Sequence, residues 1–438
     1  MGGIAALARE AGYRVTGCDA NVYPPMSEQL SALGIELIEG YSDDQLALRP
    51  DVWVIGNAIT RGNPLMEAIL DRRQRYQSGP EWLREHVLNA KWVFAVAGTH
   101  GKTTTTGMLA WILEHCGRNP GFLVGGIPAD FSISARLTSS ELFVIEADEY
   151  DTAFFDKRSK FVHYRPRTAI INNIEFDHAD IFDDLGAIER QFRHFVRIIP
   201  RSGLIVANAS DEVVKRVLTP AWTPIEGFGG QSDWGTGLTD TDGHFEVVCR
   251  GKPIGRVKWA LTGEHNQMNA LAAIVAARHG GVEPAAAVDA LSLFGGVRRR
   301  MELRGVERGV TVYDDFAHHP TAIRTTLEGL RAKVGGARIL AVLEPRSNTM
   351  KVGRMKDALP ASLAAADGVY FYASGLGWDP VSLFRAAGRE VRATDSIEVL
   401  VTDIAQHARA GDQIVVMSNG GFGGIHGKLL TALRARPE

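Results

Sequence analysis

Residues 98–104 read Gly-Thr-His-Gly-Lys-Thr-Thr and join an apolar run at 92–97 to a helix-forming stretch. A glycine-containing turn between a buried strand and a helix directs backbone N–H groups and the positive helix end at phosphate oxygens. In such a loop the Lys102 ammonium would reach the β- and γ-phosphates, and the Thr103 hydroxyl would bind Mg²⁺. The spacing departs from the general phosphate-loop pattern, because Val96 stands where its first glycine would be. The predicted nucleoside triphosphate site consists of Gly98, Thr99, His100, Gly101, Lys102, Thr103 and Thr104.

Two further predicted strand ends carry carboxylates that a metal site could use. One strand ends in Glu146-Ala-Asp-Glu, and the strand at 168–172 runs on towards Asp177, His178 and Asp180. Ligands of open α/β sheets bind at the carboxyl ends of strands, and Mg²⁺ takes oxygen ligands that it shares with phosphates. Without a phosphate loop nearby, the acidic run would be read as a solvated turn. With that loop present we predict Glu146 as a metal ligand, because it lies on the strand itself.

Four other residues have two interpretations each. Asn266 and Asn269 lie in the first turn of a predicted helix, where they either cap it or hydrogen-bond an adenine edge. Arg300 belongs to a basic triplet at a predicted domain boundary, which is either a solvated surface or a place where a moving domain could bring Arg300 onto phosphates. Asp315 follows the next strand and could orient that arginine or hold a ribose hydroxyl.

Polar loops also follow two later predicted strands. The segment 343–349 contains Arg346, whose guanidinium suits bidentate binding of a carboxylate. The segment 418–426 has four glycines around Phe422, which would let the backbone approach a ligand closely. The alternative for this second loop is a plain flexible turn.

The composition sets limits on size and class. At 438 residues the chain should form two to four domains, and 45% apolar with 23% charged residues is typical of a soluble globular protein. A net charge of −3 gives no electrostatic case for nucleic acid or an anionic membrane as a partner. Three widely spaced cysteines fit neither a disulfide framework nor a zinc site. With no long apolar run and no signal-peptide pattern, we predict a cytoplasmic protein.

The alternation of strand-like and helix-like stretches predicts an α/β fold of three consecutive α/β domains. The first is predicted at 1–90 and the third at 299–438, both Rossmann-like. The central domain, at 91–298, is predicted to hold the phosphate loop on a parallel sheet. The first domain lacks the strand and half of the glycine-rich turn that begin such a unit, so we expect the sequence to start inside that domain.

Six motifs in this order resemble those of the Mur ligase family, the ATP-dependent amide-forming enzymes of peptidoglycan assembly. The resemblance spans nearly the whole chain, and it implies the three-domain fold just described. The motifs are Gly-Thr-His-Gly-Lys-Thr at 98–103, Glu-Ala-Asp-Glu at 146–149, Asn-Ile-Glu-Phe-Asp-His at 173–178, Gly-Glu-His-Asn-x-x-Asn at 263–269, Arg-Met-Glu at 300–302 and Asp-Asp-Phe-Ala-His-His-Pro at 314–320.

The resemblance implies a role for each candidate residue. Lys102 and Thr103 would bind phosphates and Mg²⁺, with Glu146 and His178 as further metal ligands. The remaining implied contacts are Asn266 and Asn269 with adenine, Arg300 with phosphates, Asp315 with the nucleotide or Arg300, Asp19 and Asn57 with the UDP-sugar, and Arg346, Ser347 and Asn348 with the incoming peptide. The missing first turn would cradle the UDP pyrophosphate, so a protein that begins at Met1 is expected to show a raised KM for the UDP-sugar.

Within the family, the phosphate-loop histidine and the block at 314–320 resemble enzymes that accept UDP-N-acetylmuramate itself. The blocks at 156–164, 344–351 and 418–426 resemble the branch that attaches a recycled murein tripeptide, L-alanyl-γ-D-glutamyl-meso-diaminopimelate. Two alternatives stay open: a UDP-N-acetylmuramate–L-alanine ligase, and a nucleotide-binding module without ligase turnover.

The chemistry that the resemblance implies is activation of a carboxylate by ATP. The lactyl carboxylate attacks the γ-phosphate, which gives an acyl phosphate and ADP, and the amine of the peptide then displaces phosphate. Lys102, Mg²⁺ and Arg300 would neutralise the charge of two anionic reactants. The amine needs a base, for which His318 and His319 qualify only by residue type. Closure of the third domain over the substrates is expected.

Overall fold

The first part of the chain places short helices against two small parallel sheets. The computed structural model describes residues 1–22, 26–179, 181–240 and 242–436. Strands β1 and β2 pair in parallel, and β3 pairs in parallel with β4. The elements are α1 (Gly2–Glu10), β1 (Thr16–Asp19), α2 (Met26–Ala32), β2 (Glu36–Glu39), a 3₁₀-helix (Asp43–Leu48), β3 (Trp53–Ile55), α3 (Pro64–Asp71), β4 (Tyr76–Ser78), α4 (Gly79–Leu83) and a π-helical turn (Arg84–Leu88).

The central part is built on one ten-stranded sheet of order β16-β15-β14-β13-β12-β11-β5-β8-β6-β7. Its elements are β5 (Trp92–Ala97), α5 (Lys102–His115), β6 (Gly121–Leu123), β7 (Ala135–Arg136), β8 (Leu142–Glu146), β9 (Asp151–Ala153), β10 (Asp156–Ser159), a 3₁₀-helix (Lys160–His163), β11 (Thr168–Ile171), α6 (Leu185–Arg197), β12 (Leu204–Asn208), α7 (Glu212–Val217), β13 (Ile225–Phe228), β14 (Trp234–Thr239), β15 (Phe245–Cys249), β16 (Lys252–Val257), α8 (Glu264–His279) and α9 (Pro284–Leu291).

Strand β5 shows why the central sheet is buried on both faces. Phe94 and Val96 enter the core that contains α5, α8 and α9, whereas Val93 and Ala95 enter the core on the α6 side. Successive side chains of a strand point to opposite faces, so an unbroken apolar run requires cover on both sides. This double cover fixes the strand ends, and with them the polar residues that follow.

The hairpin of β9 and β10 joins the central part to the first part. Phe154 and Phe155, at its tip, pack against the small core around Ile55 and Met66 of the first part. The Phe155 ring also meets that of Tyr76 edge-on, with centroids 4.9 Å apart. This apolar contact adds to a larger one, because Leu7, Trp82 and Leu83 of the first part enter the core on the α6 side of the central sheet.

The third part has a six-stranded sheet of order β17-β18-β22-β19-β20-β21, parallel except for the β17–β18 pair. Its elements are β17 (Glu302–Glu307), β18 (Val310–Asp315), α10 (Pro320–Val334), β19 (Ile339–Leu343), α11 (Asn348–Lys351), a 3₁₀-helix (Lys356–Ala358), α12 (Leu359–Ser362), β20 (Gly368–Tyr372), α13 (Pro380–Ala386), β21 (Arg392–Thr394), α14 (Ile397–His407), β22 (Gln413–Met417), a second 3₁₀-helix (Phe422–Gly424) and α15 (Ile425–Arg434).

The predicted α/β class and the parallel-rich central sheet are confirmed. The parallel prediction was incomplete, however, because β14, β15 and β16 extend the central sheet in antiparallel order. The Gly-, Asp- and Thr-rich segment 227–245 predicts a loop or hairpin excursion, and the antiparallel pair of β14 and β15 begins there, whereas the sequence predicts no strand at 252–257. Most residues of β14 and half of those of β16 are exposed, so these strands lack the apolar pattern that identifies a buried strand. Throughout the described ranges, no helix has the length and apolar character needed to span a membrane.

Candidate functional site

The phosphate loop between β5 and α5 has a backbone that requires its two glycines. Gly98 has a φ of 141° and Gly101 a φ of 79°. A Cβ at Gly101 would lie 2.5 Å from Asn269 Oδ1, and a Cβ at Gly98 would lie 3.1 Å from the Asn173 carbonyl oxygen. Any side chain at Gly101 would therefore push against a neighbour that packs on the loop. Helix α5 begins at Lys102, so its free N–H groups face the turn.

The segment after β11 braces this loop from one side. The Asn173 Oδ1 accepts the His100 N–H at 2.7 Å, and the Asn173 amide donates to the His100 carbonyl at 3.1 Å. The Glu175 N–H donates to Thr99 Oγ1 at 2.9 Å. These bonds hold the loop in a fixed shape, which lowers the cost of ordering it around phosphates.

Lys102 is held by a carboxylate that the sequence analysis did not select. Its Nζ donates to Glu149 Oε2 at 2.9 Å and to the Gly98 carbonyl at 2.7 Å. The Glu149 side chain is 1% exposed, and its other oxygen lies 3.6 Å from His178 Nε2. Burial by itself lowers the pKa of Lys102, but the nearby carboxylates, Glu149 foremost, outweigh burial and raise it. Lys102 is therefore charged, as binding of a phosphate in place of the Glu149 carboxylate requires.

Thr103 and Glu146 meet beside the phosphate loop, as a shared Mg²⁺ site requires. Thr103 Oγ1 donates to Glu146 Oε1 at 2.9 Å, and the Gly125 N–H donates to Glu146 Oε2 at 2.7 Å. A Cβ at Gly125 would lie 2.8 Å from that same oxygen. Burial first, and then the Asp148 charge, raise the pKa of Glu146. A hydroxyl and a carboxylate are hard oxygen donors, so this pair fits Mg²⁺.

His178, the third predicted metal ligand, contacts a different carboxylate. Its ring lies beside Glu149 and 5.0 Å from the Tyr150 ring, centroid to centroid. His178 has a φ of 53°, and its N–H donates to Asp177 Oδ1 at 2.7 Å. The metal role of His178 stays a prediction, and the predicted Asp180 lies outside the described residues.

Asn266 and Asn269 lie at the start of α8. The Asn266 amide donates to the Thr262 carbonyl at 2.8 Å, so this residue closes the turn before the helix. Asn269 is buried, and its Oδ1 accepts from the Asn172 amide at 3.3 Å. The same oxygen packs on Gly101 of the phosphate loop. The structure thus gives both residues local partners, and their contact with adenine stays a prediction.

Arg300 and Asp315 lie where the central and third parts meet. Arg300 Nη2 donates to Thr103 Oγ1 at 3.3 Å, which brings the guanidinium to the start of α5. Asp315 is buried and accepts the N–H groups of Met301 and Ala317, both at 2.8 Å. Burial raises the pKa of Asp315, although the Arg300 charge opposes it. Asp315 therefore fixes the backbone next to Arg300, a role that the sequence could not specify.

The phosphate loop also touches the third part through Glu175. Glu175 Oε2 accepts from His100 Nε2 at 3.2 Å and from Thr321 Oγ1, in α10, at 2.6 Å. Burial would raise the pKa of Glu175, but the bond from His100 and its charge dominate, and the pKa falls to about 2. Burial lowers the pKa of the neighbouring His319 to about 4. The His100 and His319 rings are also in contact, with centroids 4.5 Å apart and ring planes tilted by 44°.

The atoms of His100, Glu175 and His319 that could bind a metal lie within 4.8 Å of one another. His319, however, uses both ring nitrogens. Its Nδ1 accepts the Thr321 N–H at 3.2 Å, and its Nε2 faces the Phe176 carbonyl at 3.3 Å. We therefore interpret this cluster as a contact between the central and third parts.

The predicted UDP-sugar residues lie at strand ends of the first part. Asp19 ends β1, is exposed and accepts the Asn21 N–H at 3.1 Å. Asn57 is exposed in the turn that follows β3. Both positions are at the carboxyl ends of parallel strands, where such sheets bind ligands. Their contact with a UDP-sugar stays a prediction.

The predicted peptide residues follow β19. Arg346 is exposed, and Ser347 caps α11 through its Oγ, which accepts the Met350 N–H at 3.3 Å. Asn348 begins that helix and is exposed. Next to it, Thr349 Oγ1 accepts the Ala179 N–H at 3.2 Å, so this segment contacts the loop that contains His178. Ser347 thus caps α11, and the contact of these three residues with the peptide stays a prediction.

Sequence reasoning missed three residues that build this site. Glu149 lay in the recognised acidic run, and Asn173 and Glu175 lay in the recognised polar run after β11. The signal that could have found Asn173 and Glu175 is their strand-end position opposite the phosphate loop, since β11 and β5 pair in parallel. Taken together, a charged lysine, an arginine and a hydroxyl–carboxylate pair converge on one loop, which suits transfer of a phosphoryl group between anions.

Three family models match consecutive parts of the chain. The Mur ligase family catalytic domain matches residues 1–91, the Mur ligase middle domain matches residues 96–277, and the Mur ligase glutamate ligase domain matches residues 299–420.

The similar proteins agree with these models. The UDP-N-acetylmuramate–L-alanyl-γ-D-glutamyl-meso-2,6-diaminoheptandioate ligase of Escherichia coli is 56% identical over 442 residues, covering 100% of this chain and 97% of that protein. The UDP-N-acetylmuramate–L-alanine ligase of Syntrophomonas wolfei is 35% identical over 84% of this chain and 80% of that protein. The crystal structure of a murein peptide ligase from Psychrobacter arcticus has a TM-score of 0.77 at 47% identity, covering 100% of this chain and 97% of that one.

Proposed function

Because the chain belongs to the Mur ligase family, we propose that it is an ATP-dependent ligase that joins UDP-N-acetylmuramate to L-alanyl-γ-D-glutamyl-meso-diaminopimelate. The observation that carries this proposal is the 56% identity over the whole chain to the Escherichia coli ligase of that name. The phosphate loop, with Lys102 charged and Thr103 paired to Glu146, supports the ATP-dependent step. The reaction belongs to peptidoglycan recycling and would take place in the cytoplasm, where ATP and UDP-sugars are held.

In the first half-reaction, the lactyl carboxylate attacks the γ-phosphorus of ATP and ADP leaves with the bond electrons. Two anions must meet, so cations at fixed positions lower the barrier most. Lys102 leaves Glu149 for the phosphates, and Arg300 covers the loop from the domain boundary. Thr103, Glu146 and His178 would hold Mg²⁺, which supplies further positive charge at the phosphate oxygens.

In the second half-reaction, the alanine nitrogen of the peptide attacks the acyl carbon, and phosphate leaves from the tetrahedral intermediate. Of the two histidines considered as bases, His319 uses both ring nitrogens in hydrogen bonds. His318 Nδ1 faces the Phe316 carbonyl at 3.0 Å, so its Nε2 carries the lone pair, and burial lowers its pKa. His318 is therefore the better candidate to take the proton of the amine.

The second candidate function is a UDP-N-acetylmuramate–L-alanine ligase. The 35% identity to the Syntrophomonas wolfei enzyme favours the shared chemistry, but it is well below the 56% identity to the tripeptide ligase. The two functions differ only in the acceptor, because both activate the same carboxylate.

The test is ADP release with Mg-ATP and UDP-N-acetylmuramate, with the tripeptide or free L-alanine at equal concentration. We expect turnover with the tripeptide alone. Turnover with free L-alanine would support the second candidate instead. If the protein binds ATP but releases no ADP with either acceptor, the ligase proposal is refuted and a nucleotide-binding module is favoured.

A further inference from the structure

Three loops of the third part meet at one edge of its sheet. They follow β19, β20 and β22, which are neighbouring parallel strands, so their carboxyl ends lie side by side. The first of these loops touches the central part, since Thr349 Oγ1 accepts the Ala179 N–H at 3.2 Å. This edge of the sheet therefore faces the loop that contains His178.

Lys351 ends α11 at this edge, yet its ammonium does not cap its own helix. A lysine in the last turn usually binds the free carbonyl groups there. Here the Met350 carbonyl accepts from Trp378 Nε1 at 2.8 Å, and the Lys351 carbonyl accepts the Gly377 N–H at 3.0 Å. Among the described residues, Lys351 Nζ has no hydrogen bond or ion pair, and it lies 4.0 Å from where a Cβ on Gly375 would be.

Arg346 also lacks an ion pair within the ranges that the structure covers. Its guanidinium lies against Gly420, where a Cβ would overlap Nη1. Two carboxylates of this edge have neutral partners, because Glu344 accepts from the Ser418 hydroxyl and Asp379 caps α13. Two cations with no ion pair among the described residues thus flank α11, although the whole chain has a net charge of −3. Such an arrangement complements an anionic ligand.

We propose that Lys351 is a specificity-determining residue that binds a carboxylate on the third residue of the acceptor peptide. This inference rests on the proposed function. The tripeptide carries several carboxylates beyond its alanine, whereas free L-alanine carries one next to the reacting amine. The predicted contact of Arg346 serves the part of the peptide nearer the reacting amine, and Lys351, at the other end of α11, reaches the distal part. The pair selects the long acceptor over the short one.

The experiment compares the Lys351→Met enzyme with the unmodified enzyme on two acceptors. These are the tripeptide and the dipeptide L-alanyl-γ-D-glutamate, which lacks the third residue. For each acceptor, kcat/KM is measured from ADP release. Where an acceptor does not turn over, its inhibition constant is measured from how it inhibits turnover of the tripeptide. A charge-assisted hydrogen bond of ordinary strength predicts a loss of about 10- to 100-fold for the tripeptide and a change below about twofold for the dipeptide.

Two further variants separate recognition from folding. Lys351→Arg keeps the charge and should retain most of the tripeptide preference. The loss caused by Lys351→Met should be smaller at high salt, because salt screens a partly exposed ionic contact. Lys252→Met removes an exposed lysine of β16 and should leave both acceptors unchanged. An equal loss on tripeptide and dipeptide, or no loss on either, overturns the proposal. If the unmodified enzyme releases no ADP with any acceptor, the proposed function fails first, and this inference falls with it.

Discussion

Replacing Glu149 with glutamine removes the charge that holds Lys102 while keeping the size of the side chain. The two side chains are 1% and 10% exposed, and their charged atoms lie 2.9 Å apart. Neutralising one partner of a buried ion pair costs about 3–5 kcal/mol, because the other charge stays out of water. The Gly98 carbonyl at 2.7 Å and the nearby Asp148 and Glu146 charges still stabilise the ammonium. We therefore expect Glu149→Gln to lower the free energy of unfolding by about 3 kcal/mol.

Denaturant unfolding of the nucleotide-free protein measures this loss. If the central part unfolds as a unit, about 3 kcal/mol corresponds to a fall in Tm of roughly 6–12 °C. The matched control is Glu141→Gln, which neutralises an exposed carboxylate next to β8 and should change stability by less than about 0.5 kcal/mol.

A double variant tests whether the unpaired charge of Lys102 causes the loss of stability in Glu149→Gln. Lys102→Met combined with Glu149→Gln removes both charges, so it should be more stable than the sum of the two single losses predicts. A coupling free energy of at least about 1.5 kcal/mol is expected for groups in such close contact. Additive losses, or a Glu149→Gln protein as stable as the unmodified one, would refute the reasoning.

Three other predictions concern the phosphate loop and its contact with the third part. Gly101→Ala should weaken binding of an ATP analogue at least about tenfold by calorimetry, because a Cβ would come within 2.5 Å of the carboxamide that packs on the loop. Gly117→Ala, with a φ of 73° and open space around it, is the control, and equal affinities would contradict the steric argument. Thr321→Val removes the 2.6 Å bond to Glu175 and should lower kcat about tenfold with little change in the Kd for ATP; a matching loss of ATP affinity would argue against an interdomain role. Finally, burial lowers the pKa of His319 to about 4, against 6.5 in the unfolded chain, so the unfolded state binds more protons between these values. Stability therefore falls as the pH drops from 6.5 to about 4, by up to about 3 kcal/mol. His319→Gln should flatten this part of the stability–pH curve, and an unchanged slope would show that the group does not contribute.

The sequence alone determined the features that depend on local backbone and periodicity. The glycines of the phosphate loop and the apolar run of β5 identified the strand, the turn and the start of α5, because each needs only its own residues to be recognised. The amphipathic pattern of α6 is local in the same way, since Ile188, Phe192 and Phe195 recur on one face of the helix. The order of the motifs then indicated the family, which the comparisons confirmed.

The tertiary structure decided which of several similar groups meet. Glu146 and Glu149 belong to one acidic run, yet one meets Thr103 and the other meets Lys102, because Glu146 ends β8 whereas Glu149 lies in the turn that follows it. Glu175 and Thr321 lie 146 positions apart, and they touch only because the third part packs on the phosphate loop. A side chain's type fixes what chemistry it can do, but its partner depends on strand order and domain packing, which arise from contacts far apart in the chain.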